Sequence, residues 1–201
     1  MKIGAAILLL ALACKGSERA KAKAGAAPDT TRPVSSELPP MPRFPEASRG
    51  RMAVVSAGPA GADSIHREWA ADAGWCETPP MLLVKSEQPG EGGTLVLLAL
   101  PADRITSYPV TTVTQGLPTP PAAQIGVQVY RPTGPLAYQA LDGSVDLYAF
   151  GPTVSGRFAV TLREINRNEK IRFAGAFKEV PLARLDAAYC TPAASGVSPR
   201  R

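Results

Sequence analysis

Histidine is nearly absent from this chain: His66 is the only one in 201 residues. A zinc site built on several histidines is excluded on that count alone, and His66 itself reads as a surface or capping residue. Cysteine is scarce as well, with Cys14, Cys76 and Cys190 the full set. The chain carries no G-x-S-x-G elbow, phosphate loop, S-x-x-K or H-E-x-x-H pattern, so the common signatures of hydrolases and nucleotide enzymes are missing. Its N-terminal apolar run, residues 3–13, falls well short of the roughly 20 residues a membrane-spanning helix needs.

That short run has another reading. Lys2 supplies a positive start, and Ile3 to Ala13 are uncharged, which matches the h-region of a secretory signal peptide over residues 1–13. Ala11-Leu12-Ala13 offers the small-x-small form of an ordinary cleavage site. Followed by Cys14, the same residues resemble the lipobox of bacterial lipoproteins, with Ala11 standing where Leu is usual. The resemblance covers residues 1–14 only. It implies a bacterial source, acylation of Cys14 and a lipid bilayer as partner. Lys15, rather than Asp, follows the cysteine, which by the same resemblance favours the outer membrane of the cell envelope. Cysteine parity agrees, since an odd thiol in an exported chain calls for an explanation. Acylating Cys14 leaves a pair.

Residues 14–61 are rich in Ala, Pro, Ser and charge and poor in large apolar side chains. Such a segment buries too little surface to offset its ordering entropy, so a disordered, lipidated tether is predicted. Pro39-Pro40-Met41-Pro42 is the one stretch within it that could dock. The net charge of +5 concentrates here. Residues 15–51 hold eight bases against four acids, whereas residues 52–201 hold 13 of each. A basic segment next to a lipid suits anionic headgroups, and a solvated linker is the alternative. With the folded part neutral, nucleic acid is not supported as a partner.

Residues 62–190 provide one domain, with residues 191–201 left as a flexible tail. "DSIHREWAADAG" opens the domain as a candidate short helix, capped at Asp63 or Ser64 and ended by Gly74, with Ile65 and Trp69 sharing a face. Beyond Trp75 the pattern is strand: "MLLVKSE", "TLVLLAL", "RITSYPVTTV", "QIGVQVY", "LAYQAL", "SVDLYAF", "RFAVTLREI" and "KIRFAGAFKEV", punctuated by Gly and Pro. About eight short strands predict an all-β fold, an antiparallel sandwich or barrel. The last two alternate most cleanly, and a common core requires even-numbered residues of one to pair with odd-numbered residues of the other. One allowed register sets Gly156 against Phe177 and Phe158 against Gly175, aromatics covering glycines across the pair.

Cys76 just before the first of these strands and Cys190 just after the last predict a disulfide that clasps the domain, with two buried thiols as the alternative. On the polar face of the final hairpin, Arg157, Arg163, Arg172 and Lys178, joined by Lys170, form a candidate anion-binding stripe for an anionic envelope component. The competing reading is side chains splayed into water, with Asp146 or another acid as counterion. No catalytic residue, metal ligand or cofactor is identified. Asp142, Asp146, Glu164 and Glu179 are the carboxylates that a two-acid hydrolase would need. The expectation is a membrane-anchored extracytoplasmic lipoprotein with a non-catalytic binding or structural domain. A barrel carrying a small apolar ligand is the first alternative and a carboxylate-dependent hydrolase the second.

Overall fold

Period-two alternation becomes strand throughout the described chain. The computed structural model describes residues 38–58, 64–112 and 118–190. The predicted leader, Cys14, most of the expected tether and the tail lie outside the described residues. Nine strands run in order: β1 (Arg51–Ala57), β2 (His66–Glu77), β3 (Pro80–Gln88), β4 (Gly92–Ala99), β5 (Ser107–Pro109), β6 (Ala122–Arg131), β7 (Gly134–Phe150), β8 (Thr153–Glu164) and β9 (Lys170–Arg184). A single helical turn, α1 (Ala187–Cys190), follows.

The fold is all-β and is a barrel. β1, β2, β3, β4, β6, β7, β8 and β9 each pair antiparallel with their neighbour in sequence, and β1 pairs with β9 to close the ring. β5 is the additional strand. It bonds to β7 from Ser107 to Pro109, and Val110 bridges to Ala123 of β6, so it wedges between β6 and β7 where those two part. β2 and β9 also touch directly, in parallel, at Ala73–Trp75 and Leu182–Arg184. Two antiparallel steps through β1 make its neighbours parallel, and they meet where β1 has not yet begun.

Two expectations need correction. The stretch expected to open the domain as a helix is β2. Ala71 and Ala73 are buried while Ala70 and Asp72 are exposed, which is a two-residue period. Alanine favours a helix by local propensity, but residues 66–70 pair with β1 and residues 71–77 with β3, and tertiary context overrides so weak a preference. Likewise, β1 lies inside the segment expected to be tether. Met52 is 1% exposed and pairs with Trp69 on one side and Phe177 on the other. The segment before it, residues 38–50, runs along the outer wall instead of standing free. Phe44 lies under the Arg157 guanidinium at 4.7 Å, the Ser48 N–H donates to Glu68 Oε1 at 2.7 Å, and Arg49 pairs with Glu179 at 2.9 Å. Those amide and hydroxyl donors of Ser48, with Arg51 nearby, hold the Glu68 carboxyl below the usual carboxylate range.

Strand count is reached by a different route from the one expected. "LAYQAL" and "SVDLYAF" are one strand, β7, carrying irregularities between Ala140 and Asp142 and between Leu147 and Ala149. Gly143 there has a φ of 116°, and a Cβ on it would overlap the Ala159 carbonyl. It marks a bulge pressed against β8 and not a turn. "RITSYPVTTV" shrinks to the three residues of β5.

β8 and β9 pair in the anticipated parity, with Gly156 opposite Phe177 and Phe158 opposite Gly175. The reason is steric. A Cβ on Gly156 would stand 2.5 Å from Phe177 Cζ, and one on Gly175 would run into the Phe158 ring. The far edge of each ring therefore occupies space over a backbone that only glycine leaves bare, and Phe158 stacks on Phe173 at 5.8 Å.

The disulfide joins Cys76 to Cys190 across a separation of 114 residues. It sits outside the ring: Leu185 folds onto the bare face of Gly74, and Met81 and Leu97 complete a small outer cluster around the two cysteines.

Gly175→Ala should cost about 1–3 kcal/mol through overpacking in a urea melt. Gly126→Ala, whose Cβ meets nothing within 4 Å, should leave the midpoint unchanged or slightly raised. Equal effects at the two sites would contradict the ring-over-glycine packing. Cys76→Ser with Cys190→Ser should lose about 4–5 kcal/mol, the chain-entropy value for so long a loop. A midpoint matching the oxidised protein would show that the outer cluster holds this end unaided.

Candidate functional site

An eight-stranded barrel either fills its interior with its own side chains or holds one small ligand there. This interior is filled. Val84, Val96, Leu98, Ile125, Val145, Val160, Leu162 and Phe173, drawn from β3, β4, β6, β7, β8 and β9, have no solvent-accessible surface. The end of the barrel at the β2–β3 and β7–β8 turns is also plugged. Tyr108 reaches inward from β5, fully buried, and its hydroxyl donates to the Arg104 carbonyl at 2.6 Å. The Arg104 guanidinium stacks 5.2 Å from the Trp75 ring and 4.8 Å from the Phe150 ring, while those rings meet edge to face at 6.4 Å. Arg184, paired with Glu77 at 2.6 Å, lies 5.8 Å from the Trp75 ring. Stacking on two rings lets a cation close an apolar mouth without burying an unpaired charge.

A sizeable depression lies on the outer wall. It has a volume of about 480 Å³ and is formed by β3, β4, β6 and β7 alone, with nothing from β1, β2, β8 or β9. A space inside the ring would be bounded from the far side too, so this one faces out. Register sets its shape. Glu87, Gly93, Gln128 and Ala137 form one row across the strands, and Lys85, Leu95, Gly126 and Gln139 form the next. Gly93, Gly126 and Ala137 supply a low floor, with Leu95, 44% exposed, standing beside it. Sequence reasoning missed this groove because no single stretch carries it: of "MLLVKSE" and "TLVLLAL", only Leu95 stands as an outward apolar side chain beside the floor.

The second row continues onto the predicted cationic stripe, because Gln139 is opposite Arg163 and Arg163 is opposite Lys170. Arg157, Arg163, Arg172 and Lys178 do share the outer face of β8 and β9, but they do not act as one stripe. Arg157 is committed to Asp146 at 3.2 Å, the counterion named by the competing reading. Lys178 lies at the other end of the wall, opposite Arg51. Arg172 Nη1 donates to Thr161 Oγ1 at 2.5 Å, and its buried Nε has no partner. Arg163, Lys170 and Arg172 remain together. Among the described residues no carboxylate forms an ion pair with any of them.

The other candidates are dispersed. His66 is exposed at the start of β2. Of the four carboxylates, Asp146 pairs with Arg157 and Glu179 with Arg49, while Glu164 is buried with Arg167 at 3.9 Å from its Oε1 and no partner on Oε2. Asp142 sits at the β7 bulge. No three metal-binding side chains gather among the described residues. No protein-family model, curated protein or solved structure matches the chain.

Burial of the Tyr108 phenol, with Asp103 nearby, pushes its pKa up to about 12. The folded protein thus holds this proton more tightly than the unfolded chain does. The resulting stability is complete below the ordinary tyrosine pKa near 10 and drains away as pH rises from there to about 12. Tyr108→Phe should flatten that part of the alkaline slope in urea melts taken at successive pH values. A slope identical to that of the parent would show that the plug does not form around Tyr108.

Proposed function

We propose that this chain is a membrane-anchored extracytoplasmic lipoprotein, acylated at Cys14, whose barrel is a non-catalytic binding or structural module. One observation carries the reading: Cys76 and Cys190 are bonded to each other. Disulfides persist in oxidising compartments outside the cytoplasm, and this one consumes two of the three thiols, leaving Cys14 as the odd cysteine directly after an apolar leader. Lys15 supports the outer membrane as the destination. Two acyl chains give an anchor that one does not, which suits a domain meant to stay at the envelope.

Filling and plugging of the ring weigh against a carrier that encloses an apolar ligand, and favour binding through the outer wall. Asp146 and Glu179 are each held by an arginine, which leaves little for a paired-acid hydrolase. Cells expressing the protein should incorporate labelled palmitate, and Cys14→Ala should abolish the label. Label retained in the variant, or an intact mass that still includes Met1, would overturn the reading.

A further inference from the structure

The β8–β9 hairpin end gathers positive charge together with an exposed aliphatic side chain. Arg163 and Lys170 are directly opposite one another, and Arg172 lies one outward position further along β9. Like charges so placed repel, and within the described residues no ion pair relieves these three. Arg167, in the connecting loop, has 70% of its side chain exposed and reaches only Glu164, at 3.9 Å. The same loop contributes one exposed acid, Glu169, so the end stays positive.

Ile165 is 58% exposed amid these cations. It does not hang loose, because its N–H donates to the Ala137 carbonyl of β7 at 2.9 Å. The neighbouring β6–β7 hairpin adds Tyr130, 43% exposed. An exposed apolar side chain on a hairpin of cations, with an amphipathic aromatic residue on the neighbouring hairpin, is the composition that settles at a lipid–water interface. An acidic polysaccharide would satisfy the charge but would leave Ile165 and Tyr130 with no role.

We propose that this end of the barrel docks on an anionic phospholipid surface, with Ile165 entering the headgroup region and Arg163, Arg167 and Lys170 meeting the phosphates. The proposal rests on the lipid-anchored reading, which brings a bilayer within reach of the domain, but it is testable without the anchor. The full chain carrying Cys14→Ser is sedimented with vesicles of phosphatidylcholine, alone or mixed with phosphatidylglycerol. The mixed vesicles should bind more protein. R163S/R167S/K170S should lower partition into them on the order of a hundredfold, about fivefold per cation, and Ile165→Ser should lower it several-fold. Exchanging Arg163 for Lys and Lys170 for Arg should keep the binding, and Arg157→Ser, whose charge is already matched by Asp146, should not change it. Parent-like binding by the triple variant, an equal loss in Arg157→Ser, or preference for a soluble acidic polysaccharide with Ile165→Ser silent would overturn the docking. If palmitate labelling fails while the vesicle preference holds, only the anchor falls. If labelling succeeds and the triple variant binds like the parent, only the docking falls.

Discussion

β1 is seven residues long, and both of its edges are taken: Arg51–Val55 pair with β2, and Arg51–Ala57 pair with β9. Without it, the first and last strands of the sheet would expose two rows of unpaired backbone groups, and the ring would be an open, curled sheet with edges to protect. The small residues of β1 and its surroundings make this seam possible. Ala53 faces outward between Glu68 and Ala176, and Val55 faces Ala174. On the inner side Met52 and Val54 meet Phe177 and the bare backbone of Gly175. The Gly–Phe interlock of β8 and β9 thus shapes the very strand against which β1 must close.

Closure has a consequence for what the molecule can do. With the ring complete, its interior is a fixed volume, and Phe158, Phe173, Phe177, Tyr108, Tyr138 and branched aliphatic residues occupy it. The connection between β4 and β6 then seals one end, using Tyr108 as a stopper and Arg104 as a lid lying across two aromatic rings. In the binding role proposed above, recognition falls to surfaces outside the ring: the shallow groove over Gly93 and Gly126, and the cationic end at Arg163 and Lys170 that continues from it. The disulfide belongs to the same outer layer, fastening α1 against β2 and β3 rather than bridging the core.

How legible this was depends on how far a residue's meaning is local. The alternation of Phe158, Val160 and Leu162 and of Ile171, Phe173 and Phe177 announces its own inward face, so parity narrowed the β8–β9 pairing to a few registers, one of which sets glycine against phenylalanine as observed. Asp146 as a counterion was nameable because it lay in the neighbouring strand. β1 and β2 were not legible. Ala71, Ala73 and "MAVVSA" carry too little side chain to declare a period, and they become strands only because partners on both sides supply hydrogen bonds. The groove was hidden for a related reason: Gly93, Gly126 and Ala137 belong to three different strands, and only the register makes them neighbours.

By itself, then, the chain's order of residues determined the all-β class and the inward and outward faces of the last two strands, and it offered their observed register and the Cys76–Cys190 bond each as one of two or more alternatives. Each depends on spacing, parity or count, quantities that survive in one dimension. Only the tertiary structure decided that the sheet closes, that the ring is full, and that within the predicted stripe Arg157 is matched by Asp146 while Arg163, Lys170 and Arg172 form no ion pair among the described residues. Those outcomes depend on which residues of distant strands stand side by side, and that is fixed by the collective register of eight strands, which no single stretch contains.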